Sequence, residues 1–311
     1  MNRDLSIDSL KGFLIIMVIL GHLIGSLWSQ EQGIWNLIYT FHMPLFVLIS
    51  GYLSKYDKVN ISSILKPLIA FQVLNVFLLI VYGYGFSLSY LWVPYWTLWY
   101  LLSLIFWRII LKYLPMTLLN RPYLCLGVTF FFSLIIGVFL PYGRILSIQR
   151  TISFLPFFLM GYYFKNGSIR QRLWSDNISK ILLIILGVFI TFIWYPSNAN
   201  ILLRGADSYC IYDLPSKFFI LCCTFIMIYS LWNLKRSFLF FGGAEIGKDS
   251  LFYYLYHGLI IKFVLEPIVE KLGLPTNLLW CMFYLFFMLA ALYIMSKLKF
   301  FRWFIAPTFK N

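Results

Sequence analysis

The chain alternates between long apolar runs and short polar gaps. Ten runs can be drawn, at approximately 10–28, 35–53, 65–83, 96–113, 123–141, 148–164, 179–195, 214–232, 250–269 and 277–296. Each has about 17 to 22 residues, the length at which a helix crosses the hydrocarbon of a bilayer. A membrane β-barrel would instead show segments of about ten residues with alternating hydrophobicity. The pattern therefore predicts an all-α, polytopic membrane protein, a bundle of about ten transmembrane helices.

Composition agrees. Of the 311 residues, 61% are hydrophobic and 12% are charged, whereas a soluble domain carries roughly 25% charged residues. The longest gaps, near 165–178, 196–213 and 233–249, are too short to bury a core of their own. Residues 1–311 read as a single integral-membrane domain, with its chemistry inside the bundle or at its rims. Asp4 and Asp8 precede the first run and no small-residue cleavage site follows it, so that run reads as a permanent span rather than a leader.

The net charge of +14 reports topology rather than nucleic-acid binding. With the N-terminus in the cytoplasm, nineteen of the 25 Lys and Arg residues fall on the inner side and six on the outer, a positive-inside bias that predicts both termini cytoplasmic. Trp92, Trp96, Trp99, Trp107, Trp174, Trp194, Trp232 and Trp303 lie near span ends and read as interfacial belts. The five cysteines show neither a disulfide framework nor metal-ligand spacing.

Ionisable residues inside spans are costly and mark functional candidates. All three histidines, His22, His42 and His257, fall in apolar runs. On the first helix, Lys11 and His22 are eleven positions apart, which brings them within about 20° on one face, with Asp8 on the same stripe. His22 lies about 16 Å deeper than Lys11. Such a face can grip a cytoplasmic anion at the rim while a long arm reaches the imidazole. The plainer reading is an anchor and a helix-packing histidine. His42 falls at a depth similar to His22 on the next span, so the two can share a polar cavity. Pro44 frees a backbone carbonyl nearby, and Gly51 with Ser50 permits a close helix crossing. His257 lies two turns into the ninth span, nearer the cytoplasmic side, with Tyr253 one turn before it and Asp249 or Ser250 as cap. Lys262 and Glu266, spaced i, i+4, read as a structural ion pair. Arg150 opens the sixth span and either binds an anionic group or snorkels to headgroups.

A histidine in a helix-lined pocket can serve as general base. No nucleophile elbow, phosphate loop, dinucleotide fingerprint or metal motif is present, and paired intramembrane carboxylates of the glycosidase kind are missing. Base-assisted transfer to a hydroxyl, with Arg or Lys stabilising negative charge, remains.

Five segments then carry a resemblance. "IDSLKGFLIIMVILGH" looks like the first helix of the acyltransferase-3 family of membrane O-acyltransferases, with its Arg/Lys-x10-His signature at Lys11 and His22. "FHMPLFVLISGYL", "WTLWYLLSLIF", "FLPFFLMGYYFK" and "IGKDSLFYYLYHGLII" are similar to later segments in the same order, in the short, single-domain sugar O-acetylase type. Ahead of the third span the chain has Lys66-Pro67 where many members carry an Arg-rich run. The resemblance implies transfer of an acetyl group from cytoplasmic acetyl-CoA to a hydroxyl of a cell-surface glycan or its lipid-linked precursor. It implies His22 as catalytic base or acyl relay, with His42, His257 and Arg150 as polar neighbours. It places the donor's phosphates near Lys11 and Lys66, with Asp8 also among the donor-binding residues, involves no metal and no nucleic acid, and locates the protein among the lipids of a bacterial cytoplasmic membrane. The rival readings are a carrier or flippase for lipid-linked sugars, and a structural subunit of a polysaccharide-synthesis complex. A carrier would be expected to show internal repeats and interrupted helices, and a structural subunit has no need of three intramembrane histidines.

Overall fold

The computed structural model describes residues 4–28, 32–56, 61–140, 144–169, 175–193, 209–241 and 243–305. Arg3, Lys58, Arg170, Arg172, Arg204 and Lys310, all counted in the charge bias, lie outside the described residues, as do Trp174 and Trp194. Among the described residues there is no strand, and ten helical segments are long and apolar enough to cross a membrane. Each of the ten runs expected from the sequence falls on one of these helical segments, and the protein is a multi-pass membrane protein.

The spans are α1 (Leu5–Leu27), α2 (Gly33–Leu53), α3 (Ser62–Val81), α4 (Trp99–Tyr113), α5 (Pro122–Phe139), α6 (Ile148–Asn166), α7 (Asp176–Val188), α8 (Leu214–Asn233), α9 (Ser250–Leu272) and α10 (Leu278–Lys297). Short turns extend four of them. The 3-10 turns Leu88–Leu91 and Trp96–Leu98 precede α4, Ile145–Ser147 precedes α6 and Ile211–Asp213 precedes α8, while a π turn, Phe189–Ile193, follows α7. α9 itself contains a π turn, Ile261–Leu265. Helices dominate because hydrocarbon offers no partner for a backbone amide, so each span must close its own hydrogen bonds.

The chain divides into two compact units, one formed by 1–38, 62–98 and 235–311, the other by 39–61 and 99–234. In the first, α1 is central. Its start is capped by Asp4, whose carboxylate accepts from the Ser6 amide at 3.0 Å. Most of its apolar residues are buried, Leu10, Leu14, Ile15, Val18, Ile19 and Leu23 completely. It packs against the 3-10 turn Ser237–Phe241, the short helix Ala244–Lys248, α9 and α10. The short helix lies directly on the first turns of α1, so closely that a Cβ on Gly247 would stand 1.7 Å from the Asp8 carbonyl oxygen. α9 therefore starts well along α1 rather than level with its beginning. The expected cap on α9 is not made by Asp249. Its carboxylate pairs instead with the Arg302 guanidinium at 2.6 Å, a charge-assisted bond stronger than a neutral cap.

In the second unit, α6 packs against α4 and α5, and α8 against α7. The close crossing expected at Gly51 is made with α6. A Cβ on Gly51 would lie 1.8 Å from the Phe158 carbonyl oxygen, and one on Gly161 would lie 1.9 Å from that of Leu48. The two backbones touch, as small-residue crossings in membranes allow. Polar side chains tie the spans together: the Ser50 and Tyr100 hydroxyls are 2.5 Å apart, and the Trp107 indole donates to the Thr151 carbonyl at 2.7 Å. Trp99, Trp107 and Trp232 are buried. For these three the belt reading was wrong. An indole near a span end also fills a bundle interior when its N–H finds an internal acceptor.

Candidate active site

Three elements of the first unit meet at His22. The His257 ring, from α9, lies 5.3 Å from the His22 ring between centroids and is tilted by 31°. Trp96, in the 3-10 turn before α4, meets His22 edge-on at 4.9 Å. His257 was expected nearer the cytoplasmic side than the other histidines. It is instead beside His22, because the short helix Ala244–Lys248 occupies the first turns of α1 and α9 begins above it.

The sequence "YYLYH" fixes how α9 is rotated. The Tyr254 hydroxyl donates to the Thr97 carbonyl. Tyr256 packs edge-on against Phe71 of α3 at 4.9 Å and donates to the Phe301 carbonyl at 2.8 Å. With these faces taken, His257 turns toward α1. Its Nδ1 lies 3.0 Å from the Tyr253 carbonyl oxygen. A carbonyl only accepts, so Nδ1 carries the proton and Nε2 presents a lone pair. The residue is 0% exposed, and Nε2 has no hydrogen-bond partner among the described residues. An orphaned buried acceptor costs about 1–3 kcal/mol, and a group of this kind in a folded protein calls for a reason, a catalytic role among them. His22 keeps some accessible surface. The pair thus joins a reachable imidazole to a buried one of fixed tautomer. A hydroxyl brought to it would meet a proton acceptor with little room for water, the setting in which general-base catalysis is effective.

The turn carrying Trp96 is held in place by Gln72 of α3. Its Nε2 donates to the carbonyls of Tyr90 at 2.8 Å and Val93 at 3.2 Å, and its Oε1 accepts from the Tyr95 amide at 2.8 Å. Trp96 itself has φ +38°, a left-handed backbone that a bulky residue adopts only where its surroundings impose it. Neither Gln72 nor the site role of Trp96 was expected. The available signals were a glutamine inside an apolar run and Pro94 breaking the helix just before Trp96.

At the other end of α1, Lys11 and Asp8 form a salt bridge at 2.8 Å, with Asp8 4% exposed. Lys66 is exposed in the first turn of α3, in the same unit. Lys235, outside the spans, is half-buried on the segment that packs along α1 through the Phe13–Phe238 contact. Burial pushes its pKa down; Asp4 opposes that shift and Arg236 reinforces it. The ion pair expected between Lys262 and Glu266 is present at 2.7 Å.

His42 and Arg150 belong to the second unit. His42 is 1% exposed, with Tyr39 edge-on at 4.6 Å. The Arg150 guanidinium sits 4.9 Å above the Trp99 ring, a cation–π contact. It follows two left-handed residues, Leu146 at φ +47° and Ser147 at φ +54°. The next residue, Thr151, donates through Oγ1 to Ser103 at 2.8 Å. Among the described residues no group of three or more His, Cys, Asp or Glu side chains comes together as a metal site would require.

Comparison with known proteins adds to this geometry. Residues 4–297 match the sequence profile of a family described as an acyltransferase domain, the acyltransferase-3 family. Nodulation protein NolL of Sinorhizobium fredii is 48% identical over 59 residues, and nodulation protein NolL of Mesorhizobium japonicum is 54% identical over 59 residues. Each match spans 17% of this chain and 16% of the relative. No solved structure matches the chain. With the family profile covering nearly all of its length, the chain belongs to the acyltransferase-3 family.

Proposed function

We propose that the protein is a membrane O-acetyltransferase, taking an acetyl group from cytoplasmic acetyl-CoA and placing it on a hydroxyl of a cell-surface glycan or of its lipid-linked precursor. The observation that carries this reading is the His22–His257 pair with its orphaned Nε2, inside a chain of this family. His22 takes the proton of the acceptor hydroxyl as its oxygen attacks the thioester carbonyl carbon. The tetrahedral intermediate collapses, the carbon–sulfur bond breaks, and the proton passes from His22 to the departing thiolate, giving an ester and free CoA. His257, neutral and tautomerically fixed, orients His22 or shares its proton. The relay form, with the acetyl group resting briefly on His22, uses the same groups.

In this reading Lys11 and Lys66, joined by Lys235, lie at the cytoplasmic rim and receive the donor's phosphates, while Asp8 holds Lys11 in place. Both termini are cytoplasmic, the whole chain acts as one domain, and the membrane is the bacterial cytoplasmic membrane. His42 and Arg150 keep the role of polar contributors to the reaction.

Proteoliposomes holding the protein, given radiolabelled acetyl-CoA and a lipid-linked sugar, test the proposal. Label in the sugar supports it. Movement of the sugar across the bilayer with no label transfer would support the carrier instead.

A further inference from the structure

The turn Trp96–Thr97 is anchored from more directions than a connecting loop requires. Gln72 binds the backbone ahead of it at three atoms. The Tyr254 hydroxyl takes the Thr97 carbonyl. From the far side, α9 presents Gly258, the residue after His257. A Cβ there would stand 3.2 Å from Thr97 Oγ1 and 3.5 Å from Trp96 Cε3, so the absence of a side chain lets the turn close against α9 beside the histidine. All of this holds a partly exposed indole in a left-handed backbone, 4.9 Å from His22. An indole fixed this rigidly next to a reacting imidazole limits what can approach that imidazole. Holding a bulky residue in such a backbone is costly, and a merely space-filling tryptophan does not need it.

We propose that Trp96 is the wall that sets the size of the acyl group reaching His22, with Gln72 as the residue that positions it. The inference rests on the acyl-transfer reading and deepens it. The indole edge lies in contact with one side of the imidazole, so a short acetyl group reaches the ring alongside it, and a longer chain meets the indole. Apolar pockets discriminate by about tenfold or more for each misplaced methylene, so a fixed wall of this kind selects strongly against a chain extended by four carbons. Gln72 makes no contact of its own with the acyl group. Its loss loosens the turn and relaxes the selection without removing the ring.

The test compares acetyl-CoA, butyryl-CoA and hexanoyl-CoA as donors for the purified protein in nanodiscs, with free CoA release and label transfer as readouts. Wild type is expected to prefer acetyl. Trp96→Ala should raise the ratio of kcat/KM for hexanoyl over acetyl by about tenfold or more, Trp96→Phe should stay near wild type, and Gln72→Ala should move the ratio the same way by less. A second readout does not need turnover: hexanoyl-CoA binding, measured by displacement of a fluorescent acyl-CoA, should tighten in Trp96→Ala relative to acetyl-CoA. Thermal unfolding of each variant separates altered selectivity from poor folding; if Trp96→Ala does not fold, Gln72→Ala carries the same comparison. Acetyl transfer by wild type with an unchanged hexanoyl-to-acetyl ratio in Trp96→Ala and Gln72→Ala would overturn this inference and leave acyl transfer intact. Wild type that transfers no acyl group but binds acyl-CoA with a length preference altered in Trp96→Ala would sink the transferase reading while keeping the wall. Loss of both overturns both.

Discussion

His22 and His257 face each other from the first and ninth spans with 5.3 Å between ring centroids, and Nε2 of His257 has no hydrogen-bond partner among the described residues. The backbone carbonyl of Tyr253 holds His257 in the tautomer with its proton on Nδ1. If that lone pair serves the proton transfer, His257→Ala should lower kcat for acetyl transfer by roughly 10²–10⁴, the range for loss of a general acid–base group. KM for acetyl-CoA should change by no more than a few fold. Steady-state kinetics against both substrates gives the split, and a kcat within twofold of wild type would remove His257 from the reaction.

The Lys11–Asp8 pair makes a two-part prediction. Asp8 is nearly buried, so Lys11→Ala takes a cation away from a buried carboxylate and should destabilise the protein. The double variant Asp8→Asn, Lys11→Ala should recover most of that stability. If Lys11 also meets the donor's phosphates, the double variant should still bind acetyl-CoA several-fold more weakly, as read by equilibrium dialysis. Wild-type affinity in the stable double variant would confine Lys11 to a structural role.

Arg150 rests on the Trp99 face. A lysine keeps the charge but lacks the planar fork that stacks and binds two oxygens at once. Arg150→Lys should therefore lose at least tenfold in kcat/KM for the glycan acceptor, close to the loss in Arg150→Ala. Full activity with lysine would reduce Arg150 to a surface cation.

At the crossing of α2 and α6, Gly51→Leu forces a side chain where the Phe158 carbonyl already stands. Overpacking of this kind costs about 1–3 kcal/mol or more, so the melting temperature in detergent should fall by several degrees and the yield with it. Unchanged melting would mean that the two backbones are not in contact.

The spans were legible because a bilayer demands about 20 apolar residues for each crossing, and all ten positions agree with the structure. The place of His22 within the first span, eleven residues past Lys11, was legible as well. Its partnership with His257 was not, because the short helix Ala244–Lys248 raises α9 along α1, and nothing in residues 244–248 announces that packing. Trp96 was read as belt because an indole near a span end has the same sequence signature whether it faces headgroups or a histidine. Only the left-handed backbone and the grip of Gln72 tell the two apart, and both are properties of the folded chain. Asp249 was misjudged for a similar reason: its competitor for the cap, Arg302, is distant in sequence.

The central claim is that His22 carries the transfer. The most direct measurement is incorporation of radiolabelled acetyl from acetyl-CoA into a lipid-linked sugar by proteoliposomes, wild type against His22→Ala, with both proteins shown to be equally folded by thermal unfolding. The account predicts label in the sugar with wild type and none above background with His22→Ala. Undiminished transfer by the folded His22→Ala protein would contradict it.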